Sequence, residues 1–280
     1  MKFGLSVIHV WNVKNPAEFL LNLAVAADEA GWDGFFLWDH ITWFVRAPLM
    51  DPWTMLGAMA SRTEKLRLGT MVTPLARRRP QVVARQSVTL DHLSGGRAVL
   101  GVGLGGDAQD YTAFGEEFEY KLLAEKVDEA LDVITGLWSG KAVTHRGRHY
   151  AVDDVTFLPK PIQEPRIPIW IGGQSIGALK RASRYDGWAI VGPHPSANAK
   201  GRSLEQVSKA VRKIKQYRDR NDSFDVVYSM DLPEEERLIK MTAQKADSAG
   251  VTWLLEGVFG LRYTPKQALK RTKKGPPQID

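Results

Sequence analysis

The chain of 280 residues alternates short apolar runs with amphipathic segments, and the alternation repeats eight times. The apolar runs are predicted strands: Lys2–Ile8, Gly34–Trp38, Leu66–Val72, Ala98–Val102, Ile167–Ile171, Gly187–Val191, Phe224–Met230 and Val251–Glu256. The amphipathic segments are predicted helices: Asn15–Ala30, Pro52–Arg62, Pro80–Leu93, Glu119–Trp138, Gly177–Tyr185, Leu204–Arg218, Glu234–Ala249 and Pro265–Lys273. Strands that alternate with helices form a parallel sheet, either open or closed. Eight units in a chain of this length favour a closed (β/α)8 TIM barrel, an α/β fold.

Two segments depart from the repeat. Residues 139–166 fall between the fourth helix and the fifth strand, where the pattern predicts an inserted hairpin and an irregular connection. Residues 263–280 contain the last helix and a basic tail. Because no low-complexity linker divides the chain, residues 1–280 are predicted to form a single domain.

Charge and composition argue against several classes of site and partner. Lys and Arg exceed Asp and Glu by six, but residues 263–280 hold five basic residues and one acid, as in a solvated tail. The absence of cysteine excludes disulfides, thiolate metal sites and cysteine nucleophiles. No apolar run approaches the roughly 18 residues of a membrane helix, and the N-terminus lacks a signal-peptide pattern. We therefore expect a cytoplasmic protein that acts on a small molecule, without a nucleic-acid or membrane partner.

Polar residues and glycines end the predicted strands. In a parallel barrel the carboxyl ends of the strands lie at one face, and that face carries the active site. The residues at these ends are His9, Trp11, Asp39, His40, Thr70, Gly103, Gly105, Gly106, Asp107, Gly172, Gly173, Gly192, His194, Asp231 and Glu256. This combination is typical of an enzyme that uses a cofactor, although strand ends also carry polar residues because they meet solvent.

Two glycine clusters lie among these strand ends. Gly101–Gly106 matches the dinucleotide pattern GxGxxG, but that motif needs a helix at its third glycine and an acid at a strand end about 20 residues later. Neither is predicted, because residues 107–118 have the pattern of a loop. The cluster instead indicates close approach of the backbone to a planar or phosphorylated ligand. Gly172 and Gly173 lead into a helix, which indicates either a phosphate site or a tight turn.

Two charged motifs at the same face are candidates for chemistry. Asp39 and His40 follow the second strand, and a histidine that titrates near neutral pH can transfer a proton or merely cap the strand. The run Arg77–Arg79 follows the third strand and would either bind a small anion or remain solvated.

Several longer segments resemble the bacterial luciferase-like monooxygenase family, whose members use FMN or the deazaflavin coenzyme F420. They are EAGWDGFFLWDH at residues 29–40, RLGTMVTP at 67–74, PQVVARQSVTLDHLSGGR at 80–97, IPIWIGG at 167–173, ALKRASRYDGW at 178–188 and AGVTWLLE at 249–256. The similarity covers most of residues 1–192, whereas the remainder matches mainly in its strand–helix rhythm.

The resemblance implies a (β/α)8 barrel with a flavin-type ring in its mouth. It implies that Asp39 contacts the cofactor and that His40 donates or accepts a proton. It also implies that Thr70, Met71 and Val72 flank the ring, where the family often has a non-proline cis peptide. The glycines expected to admit the cofactor or hold its phosphate are Gly103, Gly105, Gly106, Gly172, Gly173 and Gly192. An Asp-His pair after the second strand favours F420 over FMN, and the family is often dimeric.

The sequence departs from the F420-dependent dehydrogenases of this family at two positions. Leu104 stands where they tend to carry Glu, and Phe44 stands where they tend to carry Trp, with Trp43 one residue earlier. The substrate is therefore not predicted. The residues expected to contact it are His9, Trp11, Trp43, Phe44, Arg77 and Asp107.

The leading hypothesis is F420-dependent hydride transfer to or from a small organic substrate, with His40 transferring the proton. One alternative is an FMN-dependent monooxygenase that uses reduced flavin and O₂. Two others are a non-catalytic flavin-binding barrel and a metal-dependent hydrolase with His9, His40 and an acid as ligands. Because the first strand does not end in a His-x-His pair, no metal is expected.

Overall fold

Strands and helices alternate along the chain, as the sequence pattern predicts. A computed structural model describes residues 1–42, 47–195 and 201–278. The strands are β1 (Lys2–Ile8), β2 (Gly34–Leu37), β3 (Arg67–Thr70), β4 (Thr73–Pro74), β5 (Ala98–Gly103), β6 (Ala142–Arg146), β7 (Ala151–Thr156), β8 (Ile169–Gly172), β9 (Gly187–Val191), β10 (Asp225–Met230) and β11 (Trp253–Phe259). The helices are α1 (Pro16–Glu29), α2 (Pro52–Ala60), α3 (Pro80–Leu93), α4 (Gln109–Thr112), α5 (Tyr120–Trp138), α6 (Ile176–Ala182), α7 (Leu204–Tyr217), α8 (Glu236–Ser248) and α9 (Pro265–Lys273).

The large sheet closes into a barrel of parallel strands. Its order is β3-β2-β1-β11-β10-β9-β8-β5-β4, and a further pairing of β3 with β5 completes the ring. That closing pair is short, joining Leu68 to Ala98 and Gly69 to Val99. β4 follows β3 in the chain and pairs with the upper part of β5, so the two short strands together occupy one of eight positions. The predicted (β/α)8 barrel is confirmed.

Proline and short polar residues begin the helices. Pro16, Pro52, Pro80 and Pro265 each stand in a first turn, where the absence of an N–H costs nothing. Ser203 and Thr264 form capping boxes at the starts of α7 and α9. The apolar faces of the helices then pack on the outside of the barrel. None of the helices in the described residues is both long and apolar enough to cross a membrane.

Large side chains fill the lower part of the barrel interior, and small ones surround its mouth. Phe36, Trp170 and Trp253 lie together inside the barrel, with ring centroids 5.0–5.8 Å apart. Asp225 accepts hydrogen bonds from both indole nitrogens, at 3.2 and 3.1 Å. Towards the carboxyl ends of the strands, β5 carries Gly101 and Gly103, and β8 and β11 carry Gly172 and Gly257. Because these positions lack side chains, a cavity can form in this half of the barrel.

Residues 139–166 contain an antiparallel hairpin of β6 and β7 between α5 and β8. Glu129 on α5 holds its turn by accepting hydrogen bonds from the backbone N–H groups of Tyr150 at 2.7 Å and His149 at 3.0 Å. The segment 107–118 differs from the prediction of a loop, because it contains the single-turn helix α4. That turn places an acidic side chain in the barrel mouth.

Candidate active site

A cavity of about 730 Å³ opens at the carboxyl ends of β2, β5, β8 and β9 and at the junction of β3 and β4. The predicted site residues among its lining are Asp39, His40, Met71, Val72, Gly103, Gly105, Gly106, Asp107, Gly172 and Gly173. Lining residues that the sequence analysis did not select are Trp38, Pro74, Leu104, Tyr120, Gln174, Ser175, Ala178, Ala189, Ile190 and Val191. The cavity has the size of a typical small-molecule site.

His40 lies in the cavity wall and is held by a carboxylate. Its Nδ1 is 2.8 Å from Oδ2 of Asp110, and the imidazole stacks on the Trp38 ring with centroids 5.9 Å apart. The side chain of His40 is 16% exposed, whereas that of Asp110 is 3% exposed. Because the Asp110 carboxylate only accepts hydrogen bonds, the neutral imidazole donates its hydrogen from Nδ1 and carries its lone pair at Nε2. Nε2 is therefore the nitrogen suited to proton transfer.

Asp110, the partner of His40, was not among the predicted site residues. Its Oδ1 accepts hydrogen bonds from the N–H of Thr42 at 2.8 Å and from the Thr42 hydroxyl at 3.0 Å. Burial alone would raise its pKa, but the hydrogen bonds from His40 and Thr42 and the nearby positive charges keep the pKa well below its ordinary value. The sequence did contain one signal for this pair. An acid stands in the loop after the fourth predicted strand, and a histidine follows the second predicted strand.

Asp39 lies beneath the cavity in a cluster of opposite charges. Its Oδ1 is 3.0 Å from Nη2 of Arg77 and 2.7 Å from Nη2 of Arg78, and its Oδ2 accepts the Thr73 hydroxyl at 2.9 Å. Nη1 of Arg77 is 2.9 Å from Oδ2 of Asp110. One guanidinium thus bridges two carboxylates that follow different strands. These contacts tie the Asp39 carboxylate to the segment that follows β4, and its side chain has no exposed surface.

The structure corrects the expected substrate contact of Arg77. Its side chain is only 2% exposed, because the two carboxylates draw the guanidinium beneath the surface. A buried guanidinium already paired with two acids does not present itself to a substrate anion. Arg77 is therefore part of the support of the site.

Two further substrate-contact predictions are corrected in the same way. His9 and Trp11 are buried, and neither is among the described residues that line the cavity. Nε2 of His9 is 2.7 Å from the Met50 carbonyl, and Trp11 donates its indole hydrogen to the Tyr263 carbonyl at 2.7 Å. Burial also lowers the pKa of His9. The first strand therefore supplies packing and loop anchoring. The predicted contacts Trp43 and Phe44 lie outside the described residues.

Two predicted cofactor contacts also have other roles in this structure. The Thr70 hydroxyl is buried below the cavity and donates to the Gly101 carbonyl at 3.0 Å. Gly192 packs beneath the Tyr228 ring, since a Cβ there would be 2.3 Å from that ring. Both residues therefore maintain strand spacing rather than line the cavity.

Val72 projects into the cavity between two glycine positions. The Met71–Val72 peptide bond is cis, which agrees with the expectation for residues 70–72. A Cβ at Gly103 would lie 2.5 Å from Val72 Cγ2, and one at Gly172 would lie 3.2 Å from its methyl groups. These glycines leave the valine methyl groups exposed as one apolar wall.

The turn after β8 is held on one side by two donors. Trp188 Nε1 donates to the Gly173 carbonyl at 2.7 Å, and Arg202 Nη2 donates to the Gln174 carbonyl at 2.5 Å. In a trans peptide, the following N–H points opposite to the carbonyl. The N–H groups of Gln174 and Ser175 therefore point away from these two donors. Gly173 has φ of +126°, which a residue with a side chain rarely adopts.

Among the described residues, no group of three or more His, Asp or Glu side chains is arranged to hold a metal ion. The acids near His40 are instead paired with arginines and hydroxyl groups. This arrangement provides no structural support for the metal-dependent hydrolase hypothesis.

Comparisons with known proteins agree with the fold. A family model described as luciferase-like monooxygenase matches residues 1–232. The F420-dependent glucose-6-phosphate dehydrogenase of Microbacterium testaceum is 38% identical over 170 residues, which cover 59% of this chain and 49% of that protein. The chain therefore spans about half the length of this relative.

Solved structures show the same fold at low sequence identity. An F420-dependent secondary alcohol dehydrogenase in complex with an F420–acetone adduct superposes with a TM-score of 0.76 at 18% identity, covering 100% of this chain and 99% of the other. The oxygenating constituent of 3,6-diketocamphane monooxygenase from Pseudomonas putida, in complex with FMN, has a TM-score of 0.67 at 18% identity, covering 90% and 79%.

Proposed function

The chain belongs to the luciferase-like monooxygenase family, and from this premise we propose that it is an oxidoreductase with a noncovalent flavin-type cofactor. The reaction that we favour is F420-dependent hydride transfer to or from a small organic molecule. The observation that carries this proposal is the His40–Asp110 pair in the wall of a glycine-lined cavity. An F420-dependent relative that is 38% identical and an F420-dependent structural neighbour support the choice of cofactor.

The shape and chemistry of the cavity fit a flat ring with a phosphorylated side chain. Val72, flanked by Gly103 and Gly172, offers an apolar wall on which a planar ring can lie. The turn at Gly173 offers backbone N–H groups as phosphate donors, because its carbonyls are bonded elsewhere. We assign Met71 and Val72 to the ring and the turn after β8 to the phosphate.

His40 would transfer the proton that accompanies hydride transfer. Bound F420 supplies a carbon that accepts or donates the hydride. Asp110 fixes the imidazole so that its Nε2 lone pair accepts a proton, and it stabilises the positive charge that then develops on the ring. The backbone N–H of Thr42 and the guanidinium of Arg77 keep Asp110 ionised.

An FMN-dependent monooxygenase is the second candidate. An FMN complex is among the structural neighbours, and the lining contains many apolar side chains, including Leu104, Ile190 and Val191. Such a lining would limit the access of water to a reactive oxygenated flavin.

Titration with both cofactors tests the proposed function. We expect a saturable fluorescence change with F420 or with FMN, in the oxidised or the reduced form. Replacing Gly103 with alanine is expected to weaken that binding about tenfold or more, because its Cβ would displace Val72 from the wall. Failure of the wild-type protein to bind any of the four species contradicts the proposal, and binding without turnover would favour a non-catalytic protein.

The replacement of Asp110 with asparagine tests the role of the histidine's partner. We expect kcat to fall about 10- to 100-fold, because an amide neither stabilises the imidazolium nor fixes the Nε2 acceptor tautomer. A suitable control is Asp28→Asn, since Asp28 also accepts several backbone N–H groups and has a lowered pKa, but holds the chain near Leu66. Equal losses of kcat in the two variants would contradict a specific role for Asp110.

A further inference from the structure

We infer that the substrate is an uncharged alcohol or carbonyl compound with apolar substituents, and not a phosphate ester. This inference rests on the function proposed above and adds the class of substrate. The inferred substrate differs from the one in the name of the M. testaceum relative, a glucose-6-phosphate dehydrogenase. The match with that relative covers about half of its length.

The first argument is the composition of the cavity wall. The apolar side chains of the lining include Trp38, which stacks on His40, and Leu104, Ala189, Ile190 and Val191. Over the ranges that the structure describes, the lining contains neither lysine nor arginine. The remaining charged side chain beside Asp39 and His40 is Asp107, which is acidic.

The second argument is the balance of charge below the cavity. Arg77 and Arg78 are both bonded to Asp39, which lines the cavity. Arg77 is also paired with Asp110. Two carboxylates thus compensate two guanidinium groups. The cluster presents no net positive charge to the cavity, and Asp107 adds a negative one.

A phosphorylated substrate would bind poorly in such a cavity. Moving a dianionic group out of water is costly unless cations or several hydrogen-bond donors replace the water. The N–H groups of the turn at Gly173 are assigned to the phosphate of the cofactor, so they do not serve the substrate. An uncharged substrate avoids this cost and gains from burial against Trp38, Leu104 and Val191.

The chemistry at His40 also suits an alcohol–carbonyl pair. Oxidation of an alcohol would release a hydride from its carbon to bound oxidised F420, and Nε2 of His40 would accept the proton from its oxygen. The C–O bond would become C=O, and the two electrons would leave the substrate with the hydride. The reverse reaction returns the hydride to carbon and the proton to oxygen.

Tryptophan fluorescence measures binding of charged and uncharged probes, because Trp38 lies in the lining. Cyclohexanol, glucose 6-phosphate and inorganic phosphate are titrated separately into the protein, with and without F420. We expect the affinity for cyclohexanol to exceed that for glucose 6-phosphate about tenfold or more. The absorbance of F420 measures turnover of the same two organic probes, and we expect it with cyclohexanol.

A charge introduced into the wall provides the matched comparison. Leu104→Arg is expected to tighten binding of glucose 6-phosphate about tenfold and to weaken binding of cyclohexanol. Leu104→Gln introduces a polar but neutral side chain, and it should not tighten binding of glucose 6-phosphate. The inference is overturned when wild-type protein binds glucose 6-phosphate as tightly as cyclohexanol, or when phosphate displaces cyclohexanol. Absence of F420 and FMN binding would instead contradict the proposed function. In that case the titrations without cofactor still compare an uncharged alcohol with a phosphate ester.

Discussion

Replacement of His40 with glutamine is expected to lower kcat about 10²- to 10⁴-fold, the range that general acid–base catalysis contributes. Glutamine has a similar length and keeps a polar end near Asp110, but its amide does not act as an acid or a base near neutral pH. Cofactor affinity should change little, because the proposed ring and phosphate contacts come from Val72 and the turn at Gly173. The measurements are steady-state turnover and fluorescence titration of the same preparation.

His92→Gln is the control, since His92 lies on the outer helix α3 and its Nε2 is 2.9 Å from the Lys160 carbonyl. It is expected to retain wild-type kcat. If the variant of His40 kept wild-type kcat with an unchanged pH profile, proton transfer would have to be assigned elsewhere. If it lost cofactor binding together with activity, the ring of His40 would be a cofactor contact instead.

Replacement of Gly101 with alanine is expected to destabilise the protein by at least about 4 kcal/mol, at the upper end for a single substitution. A Cβ at this position would lie 1.9 Å from the Thr70 carbonyl oxygen, across the line where β5 meets β3. Gly69 faces the Val99 carbonyl oxygen in the same way, at 2.2 Å. Two residue pairs join β3 to β5 and two more join β4 to β5, so the barrel closes at this position through four pairs in the described residues, and a displacement there weakens its closure.

Thermal unfolding measures the effect, and we expect Tm to fall by roughly 8–16 °C, at about 2–4 °C for each kcal/mol. Gly57→Ala is the matched control. Gly57 lies within α2, and its nearest atom beyond the helix would be 3.9 Å from an added Cβ. Alanine there should stabilise the protein by about 0.5–1 kcal/mol through its higher helix propensity. A Gly101→Ala protein that melts within 2 °C of wild type would contradict this account of closure.

The repeat of apolar and amphipathic segments was sufficient to predict the barrel. A continuous apolar run indicates a strand that is buried on both faces, and an amphipathic segment indicates a helix that is buried on one face. Boundaries such as those of α3, β9 and α9 agree with the prediction. The third strand does not, since β3 ends at Thr70 and the short strand β4 (Thr73–Pro74) begins beyond the predicted run Leu66–Val72. Hydropathy alone does not encode that interruption.

The sequence also located one face of the barrel, but not the direction of each side chain. Arg77 was expected to contact the substrate, yet its pairing with Asp39 and Asp110 holds its side chain below the surface. Asp110 was missed because a single-turn helix of four residues leaves no periodic signal. Opposite charges and short turns are resolved only when three-dimensional distances are known.

The guanidinium of Arg77 has a practical consequence for altering this protein. It joins carboxylates that follow β2 and β5, while its own residue follows β4, so three mouth loops share one anchor. An exchange of any one loop would shift the imidazole of His40 through Asp110. The opposite wall, formed by Ile190 and Val191 on β9, is independent of that anchor. A search for new substrates is therefore best directed at β9, where mutations can reshape the pocket without disturbing proton transfer.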